Sequence, residues 1–154
     1  MPVDIGLNDT ARSTSADALR VLLAETYALY SKTHGYHWNV TGPRFNSLHT
    51  MFETQYNELW TALDEIAERI RALGHFAPAS AAEMVEPATI KPDNGIPDAD
   101  TMVENLVKGH EAISRAAKAG LKIAEDNGDM VTADLMTQRA TIAEKTAWML
   151  RASL

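Results

Sequence analysis

The chain has 154 residues, 45% hydrophobic and 23% charged, with 21 acidic against 14 basic side chains and a formal net charge of −7. That is the texture of one globular domain with a real core; the acidic balance excludes a nucleic-acid binder that works through a basic bulk field. The absence of cysteine excludes disulfides, iron–sulfur ligation and thiol catalysis together, and leaves any metal to oxygen and imidazole ligands.

No apolar run is long enough to span a bilayer, and the start, MPVDIGLNDT, lacks the basic-then-apolar pattern of a secretory signal. A cytoplasmic protein of a single domain over 1–154 is expected, with no membrane partner.

A first helix is predicted from about Ser15 to Val40, where Leu19, Leu22, Leu23, Thr26, Tyr30, Thr33 and His37 recur at three- and four-residue steps. Thr41-Gly42-Pro43 stops it, because glycine supplies a left-handed cap and proline refuses continuation. A second helix opens near Asn46 or Ser47, both good N-caps, and runs unbroken to Gly74, so it is roughly 40 Å long. From Gly74 to Pro97 four prolines break regular structure, with a capping box at Ser80-Ala81-Ala82-Glu83 that opens one short helix. A third long helix follows Asp100 or Thr101 and carries Val103, Leu106, Val107, His110, Ala117 and Leu121. After the tight turn Asn127-Gly128-Asp129, a last helix carries Val131, Leu135, Ile142, Thr146 and Met149. Two short turns and one long connection describe two helical hairpins joined by a crossover. The fold is therefore expected to be all-α, a ferritin-like four-helix bundle whose crossover holds a short helix.

The second helix carries the chemistry. His49 and Glu68 are equidistant from a point between Glu58 and Leu59, and so are Glu53 and Asp64. At about 100° per residue Glu53, Asp64 and Glu68 fall about 40°, 60° and 100° round the axis from His49, on one stripe. Yet His49 and Asp64 lie about 22 Å apart along that axis, too far to share an ion. An antiparallel copy of the helix, related by a two-fold at the central point, sets His49 and Glu53 opposite Glu68 and Asp64 of the partner and makes two identical clusters. His37 stands six residues before Pro43 and His49 six after it, so a hairpin sets them side by side. Two imidazoles and three carboxylates suit Fe(II) and leave room for water, O₂ or peroxide.

Four-residue spacings of His and acid are common on solvated helix faces, and a dimer also buries polar pairs without metal; the two-fold registration favours the ligand reading by roughly two to one. No Glu is followed three residues later by His, which argues against a di-iron centre inside one bundle.

The run His37-Trp38-Asn39-Val40-x-Gly42-x-x-Phe45-x-x-Leu48-His49-x-x-Phe52-Glu53-x-x-Tyr56, followed by Asp64-x-x-Ala67-Glu68-Arg69 and Leu73-Gly74, closely resembles the Dps miniferritins (DNA-binding proteins from starved cells). The resemblance spans essentially the whole chain. It implies a cytoplasmic, bacterial homododecamer of two-fold dimers that acts as a ferroxidase. Fe(II) would be oxidised, preferentially by hydrogen peroxide, at two-iron-capable sites between subunits, and stored inside the cage as ferric mineral against oxidative stress. The matching ligands are His37, His49, Glu53, Asp64 and Glu68; many members have Asp at the position of Glu53. Trp38 is expected to pack at the dimer seam, and the resemblance adds a role in intercepting oxidising radicals. It also places Glu125, Asp129 and Asp134 along threefold pores for iron, although Asp129 reads equally well as a helix cap. Met130 stands where some relatives are acidic.

His34 reads as a partner of the ligands or plain surface, His110 as a hydrogen-bonded core residue, and His75 as a helix C-terminal dipole partner. The alternative function is a DNA-compacting nucleoid protein with secondary iron chemistry; a metal-free structural oligomer is the blandest reading. Members that bind DNA directly use Lys-rich tails, whereas the first twenty residues here set Arg12 and Arg20 against Asp4, Asp9 and Asp17. DNA binding is therefore expected to be weak or absent at neutral pH.

Overall fold

The computed structural model describes residues 1–154. Five helices follow in order: α1 Asp9–Asn39, α2 Phe45–Ala72, α3 Ala81–Val85, α4 Ala99–Asp126 and α5 Met130–Arg151. Strands are absent, and no helix is long and apolar enough to cross a membrane. α1 and α2 form one hairpin, α4 and α5 the other, and the crossover carrying α3 lies against α1. This is the predicted ferritin-like bundle.

α1 begins six residues before the expected start. The Asn8 side chain accepts from the Ala11 N–H at 2.8 Å and Asp9 sits in the first turn, so a cap starts the helix where apolar periodicity is still faint. α2 opens on Phe45 with no side-chain cap at Arg44, rather than on Asn46 or Ser47. Its end is a Schellman motif: Gly74 takes φ 89°, its N–H donates to the Arg71 carbonyl at 2.9 Å, and the His75 N–H reaches the Ile70 carbonyl at 3.2 Å. His75 thus contributes its backbone to the cap. At α3 the Ser80 hydroxyl accepts from the Glu83 N–H at 3.2 Å, while the Glu83 carboxylate turns back to the Ala79 N–H at 3.0 Å.

The core fills the space between the hairpins with Leu19, Leu22, Leu29, Phe52, Leu59, Ile66, Met102, Leu106, Ile113 and Met136, all fully buried. Helices α1 and α4 approach closely at Gly109, where an added Cβ would stand 2.3 Å from Leu29 Cδ1. The crossover is fastened from α1 by Glu25, 2% exposed, whose carboxylate accepts from the Thr89 N–H and hydroxyl, each at 2.7 Å, and from the Ile90 N–H at 3.2 Å. Tyr36 adds a second tie, donating to Asp93 at 2.7 Å and accepting from Asn105 at 3.0 Å. A long irregular connection is held this way against α1, while the short turn and direct packing of α1 on α2 bring the imidazoles together.

Candidate metal centre

The turn between Asn39 and Phe45 brings the end of α1 against the start of α2. The His37 and His49 rings stack with centroids 3.8 Å apart and planes 14° from parallel. Each ring donates from Nδ1 to the backbone carbonyl of the other residue, at 2.7 Å in both directions. A carbonyl only accepts, so Nδ1 carries the proton in the neutral form of each ring and Nε2 keeps the lone pair. This reciprocal clamp fixes tautomer and ring orientation, as the outer hydrogen bond of a metal-binding histidine does.

Glu53 follows His49 one turn along α2 and is exposed, as are Asp64 and Glu68 farther on. None of the subunit's eight ion pairs involves these three acids. Within one subunit, however, no three imidazole or carboxylate groups converge as a metal site would require. His37 and His49 come together; Asp64 and Glu68 stay about 22 and 28 Å from His49 along the helix.

The interior of the bundle is closed to metal by different means. Arg139, 3% exposed, reaches from α5 to Glu58 on α2 with two bonds of 2.8 and 2.6 Å. A guanidinium thus occupies the space between these helices and neutralises the carboxylate. His110 is 2% exposed, and neither of its ring nitrogens has a partner, so it is a core histidine but not the hydrogen-bonded one expected. Burial, aided by the Arg139 charge, pushes its pKa down to about 3.

Around the imidazole pair lies a group of aromatic rings that sequence reading did not assemble. His34 stacks on Tyr56, with centroids 3.9 Å apart and planes 11° from parallel, and packs on Trp38 at 4.1 Å. Its Nδ1 is hydrogen-bonded to the Tyr30 hydroxyl at 3.0 Å. Tyr30 in turn lies 5.2 Å from the Trp60 ring. Trp38 and Trp60 are 66% and 59% exposed, large apolar surfaces that the subunit leaves bare. The four-residue steps of Tyr30, His34 and Trp38, and of Tyr56 and Trp60, were the available signal.

At the other end of the molecule Glu125 and Asp134 flank the α4–α5 turn and are exposed, as is Met130. Asp129 takes the helix-cap role that was its other reading. Its side chain is 1% exposed, accepts from Arg69 at 2.8 Å and caps α5 by accepting from the Thr132 N–H at 3.1 Å. Burial pushes this carboxyl up, but the hydrogen bonds from Thr132 and the Arg69 charge outweigh it, leaving the pKa below the ordinary value. Within the subunit this carboxylate is enclosed and acts as the cap of α5.

Residues 16–154 match the model of the ferritin-like domain. The chain is 40% identical over 138 residues to DNA protection during starvation protein 2 of Bacillus anthracis, covering 90% of this chain and 94% of that protein. Among solved structures, the Dps protein of Vibrio cholerae, described as a member of the ferritin-like diiron-carboxylate superfamily, superposes with a TM-score of 0.92 at 35% identity, covering 99% of this chain and 96% of that one. The Dps protein of Bacillus brevis gives 0.89 at 34% identity, over 93% and 96%.

Proposed function

The chain belongs to the ferritin-like family and, within it, to the Dps miniferritins, and from that membership we propose that it is a cytoplasmic ferroxidase and iron store. Iron handling under stress comes with the family in general. The finer reading is oxidation of Fe(II), preferentially by hydrogen peroxide, at sites shared by two-fold-related subunits of a dodecameric cage. The observation that carries it is the reciprocal His37–His49 clamp, which leaves an Nε2 lone pair on each neutral ring one helical turn from the exposed, unpaired Glu53.

Each group has a distinct task. Neutral His37 and His49 hold Fe(II) without adding negative charge. Glu53 of the same subunit and Asp64 of the partner subunit would bridge or neutralise the metal, and Glu68 of the partner subunit would complete the shell; hard carboxylate oxygens favour the ferric product over the ferrous substrate. Two electrons from two ferrous ions reduce one peroxide: 2 Fe(II) + H₂O₂ + 2 H⁺ → 2 Fe(III) + 2 H₂O. Hydrolysis then deposits ferric oxyhydroxide and returns the protons. Glu125 and Asp134 remain the proposed acids of the iron route.

DNA compaction gains no support. The subunit carries −7, and two basic residues near the N-terminus are already ion-paired, Arg12 with Asp9 and Arg20 with Asp17. A cage of such subunits repels phosphate at neutral pH.

The test is a His37→Ala/His49→Ala variant mixed with Fe(II) and peroxide in stopped flow, with assembly checked by native mass. We expect an intact particle that oxidises Fe(II) at the uncatalysed rate. Wild-type oxidation by an intact variant cage would remove the site assignment.

A further inference from the structure

The aromatic rings beside the imidazole pair form a continuous path that starts at a proposed ligand and runs toward the proposed two-fold. From His37 the Tyr56 ring is 5.2 Å away, Tyr30 lies 6.3 Å from Tyr56, and Trp60 lies 5.2 Å from Tyr30. Trp60 falls about 20° round α2 from His49, on the same stripe as the carboxylates. It is also only a residue and a half from the point between Glu58 and Leu59. In an antiparallel pair of α2 helices, Trp60 and the partner's Trp60 are therefore separated by only about 5 Å along the axis. The exposed side of each indole is the side that would meet its mate.

Tyrosine and tryptophan suit a covered interface, and they are also the side chains most easily oxidised by one electron. One of them also has its proton acceptor in place: the Tyr30 hydroxyl is bonded to His34 Nδ1 at 3.0 Å. A phenol loses its proton when it loses an electron, so this hydrogen bond gives Tyr30 the local partner that the step requires.

We propose that the Tyr56–Tyr30–Trp60 column, joined to its symmetry mate at the two-fold, carries electrons between the two iron sites of a dimer. Peroxide at one site takes one electron from the ferrous ion there and one from Tyr30, whose phenolic proton passes to His34. An electron from the ferrous ion at the other site, relayed through the two Trp60 rings, re-reduces Tyr30, and His34 returns the proton. The sum is 2 Fe(II) + H₂O₂ + 2 H⁺ → 2 Fe(III) + 2 H₂O, drawn from two sites rather than one. A half-loaded dimer thus completes the two-electron reduction and releases no hydroxyl radical. The inference rests on the dimeric ferroxidase reading above.

The test compares wild type with Tyr30→Phe/Trp60→Phe at one and at two Fe(II) per subunit, mixed anaerobically with hydrogen peroxide. Spin trapping and freeze-quench electron paramagnetic resonance are the readouts. At one Fe(II) per subunit the wild type should show a transient tyrosyl or tryptophanyl signal and little hydroxyl adduct. The variant should lose that signal and give several-fold more adduct, yet oxidise iron at the wild-type rate at two Fe(II) per subunit. Trp60→Tyr, which keeps an oxidisable ring, should behave as wild type. Equal adduct yields and equal spectra for wild type and the double variant at half loading would overturn the column. Failure of wild type to oxidise iron at full loading would instead overturn the ferroxidase reading.

Discussion

Two polar clusters built from the same residue types face opposite ways in this subunit. Between α2 and α5, Arg139 and Glu58 meet bidentately beside His110, and every charge there is answered within the chain. On the outer face of α1 and α2, the His37–His49 pair has its Nδ1 atoms satisfied and its Nε2 atoms free, while Glu53, Asp64 and Glu68 stand exposed without cations. The first cluster is closed and contributes to folding. The second is open, and it is the one proposed above to take its partners from outside the subunit. Glu58 and Glu53 differ by five positions in one helix, so composition does not separate the two cases; the presence or absence of an internal partner does.

Breaking the closed cluster should have the largest effect on stability. Glu58→Ala strands the Arg139 guanidinium, whose side chain is 4% exposed. Removing one partner of a fully buried pair costs about 3–5 kcal/mol; the Glu58 side chain is 36% exposed and water screens it, so urea unfolding of the metal-free protein should show a smaller loss, about 2–3 kcal/mol. A loss below about 1 kcal/mol, the worth of an exposed pair, would mean that the cluster is not closed.

Acid should act on the closed cluster next. His110 titrates at about 3 in the folded chain against an ordinary 6.5, so the unfolded state binds its proton first as pH falls. Stability is undiminished above pH 6.5. It should then decline by about 1.4 kcal/mol per pH unit until the folded pKa is reached. His110→Leu should flatten that slope in urea unfolding measured across the interval; an unchanged slope would assign the acid sensitivity elsewhere.

The open cluster should barely register in the same assay. Asp64→Asn/Glu68→Gln removes two exposed charges that no group in the subunit answers. Stability of the metal-free protein should stay within about 0.5 kcal/mol of wild type, while Fe(II) binding by titration calorimetry is lost. A large destabilisation would show that these acids are structural after all.

Much of this contrast was legible in the sequence. Helix count, hairpin turns, crossover and the stripe of His49, Glu53, Asp64 and Glu68 all follow from spacing, because an α-helix maps residue number onto a face and a height. What spacing does not contain is the environment of a charge. Asp129 read equally well as a pore acid and as a helix cap, and only the fold shows that Arg69 encloses it from α2 while it caps α5. The reciprocal His37–His49 bonds depend on the path of the Gly42 turn, and the aromatic column is divided between two helices, so neither emerges from one periodicity. The early start of α1 rests on a single cap, Asn8, that outweighs a polar first turn. His110 lay on the predicted apolar line, but no pattern of letters says whether its nitrogens find partners.

The central claim is that each iron site is assembled from two subunits, and hybrid complementation tests it most directly. A variant lacking Asp64 and Glu68 is dissociated and reassembled with one lacking His37 and His49, and the mixed particles are verified by native mass. Each mixed dimer then holds one intact cluster and one without ligands. Recovery of peroxide-driven Fe(II) oxidation, absent from either parent alone, is the predicted result. Verified hybrids that remain as inactive as their parents would contradict ligation across the two-fold.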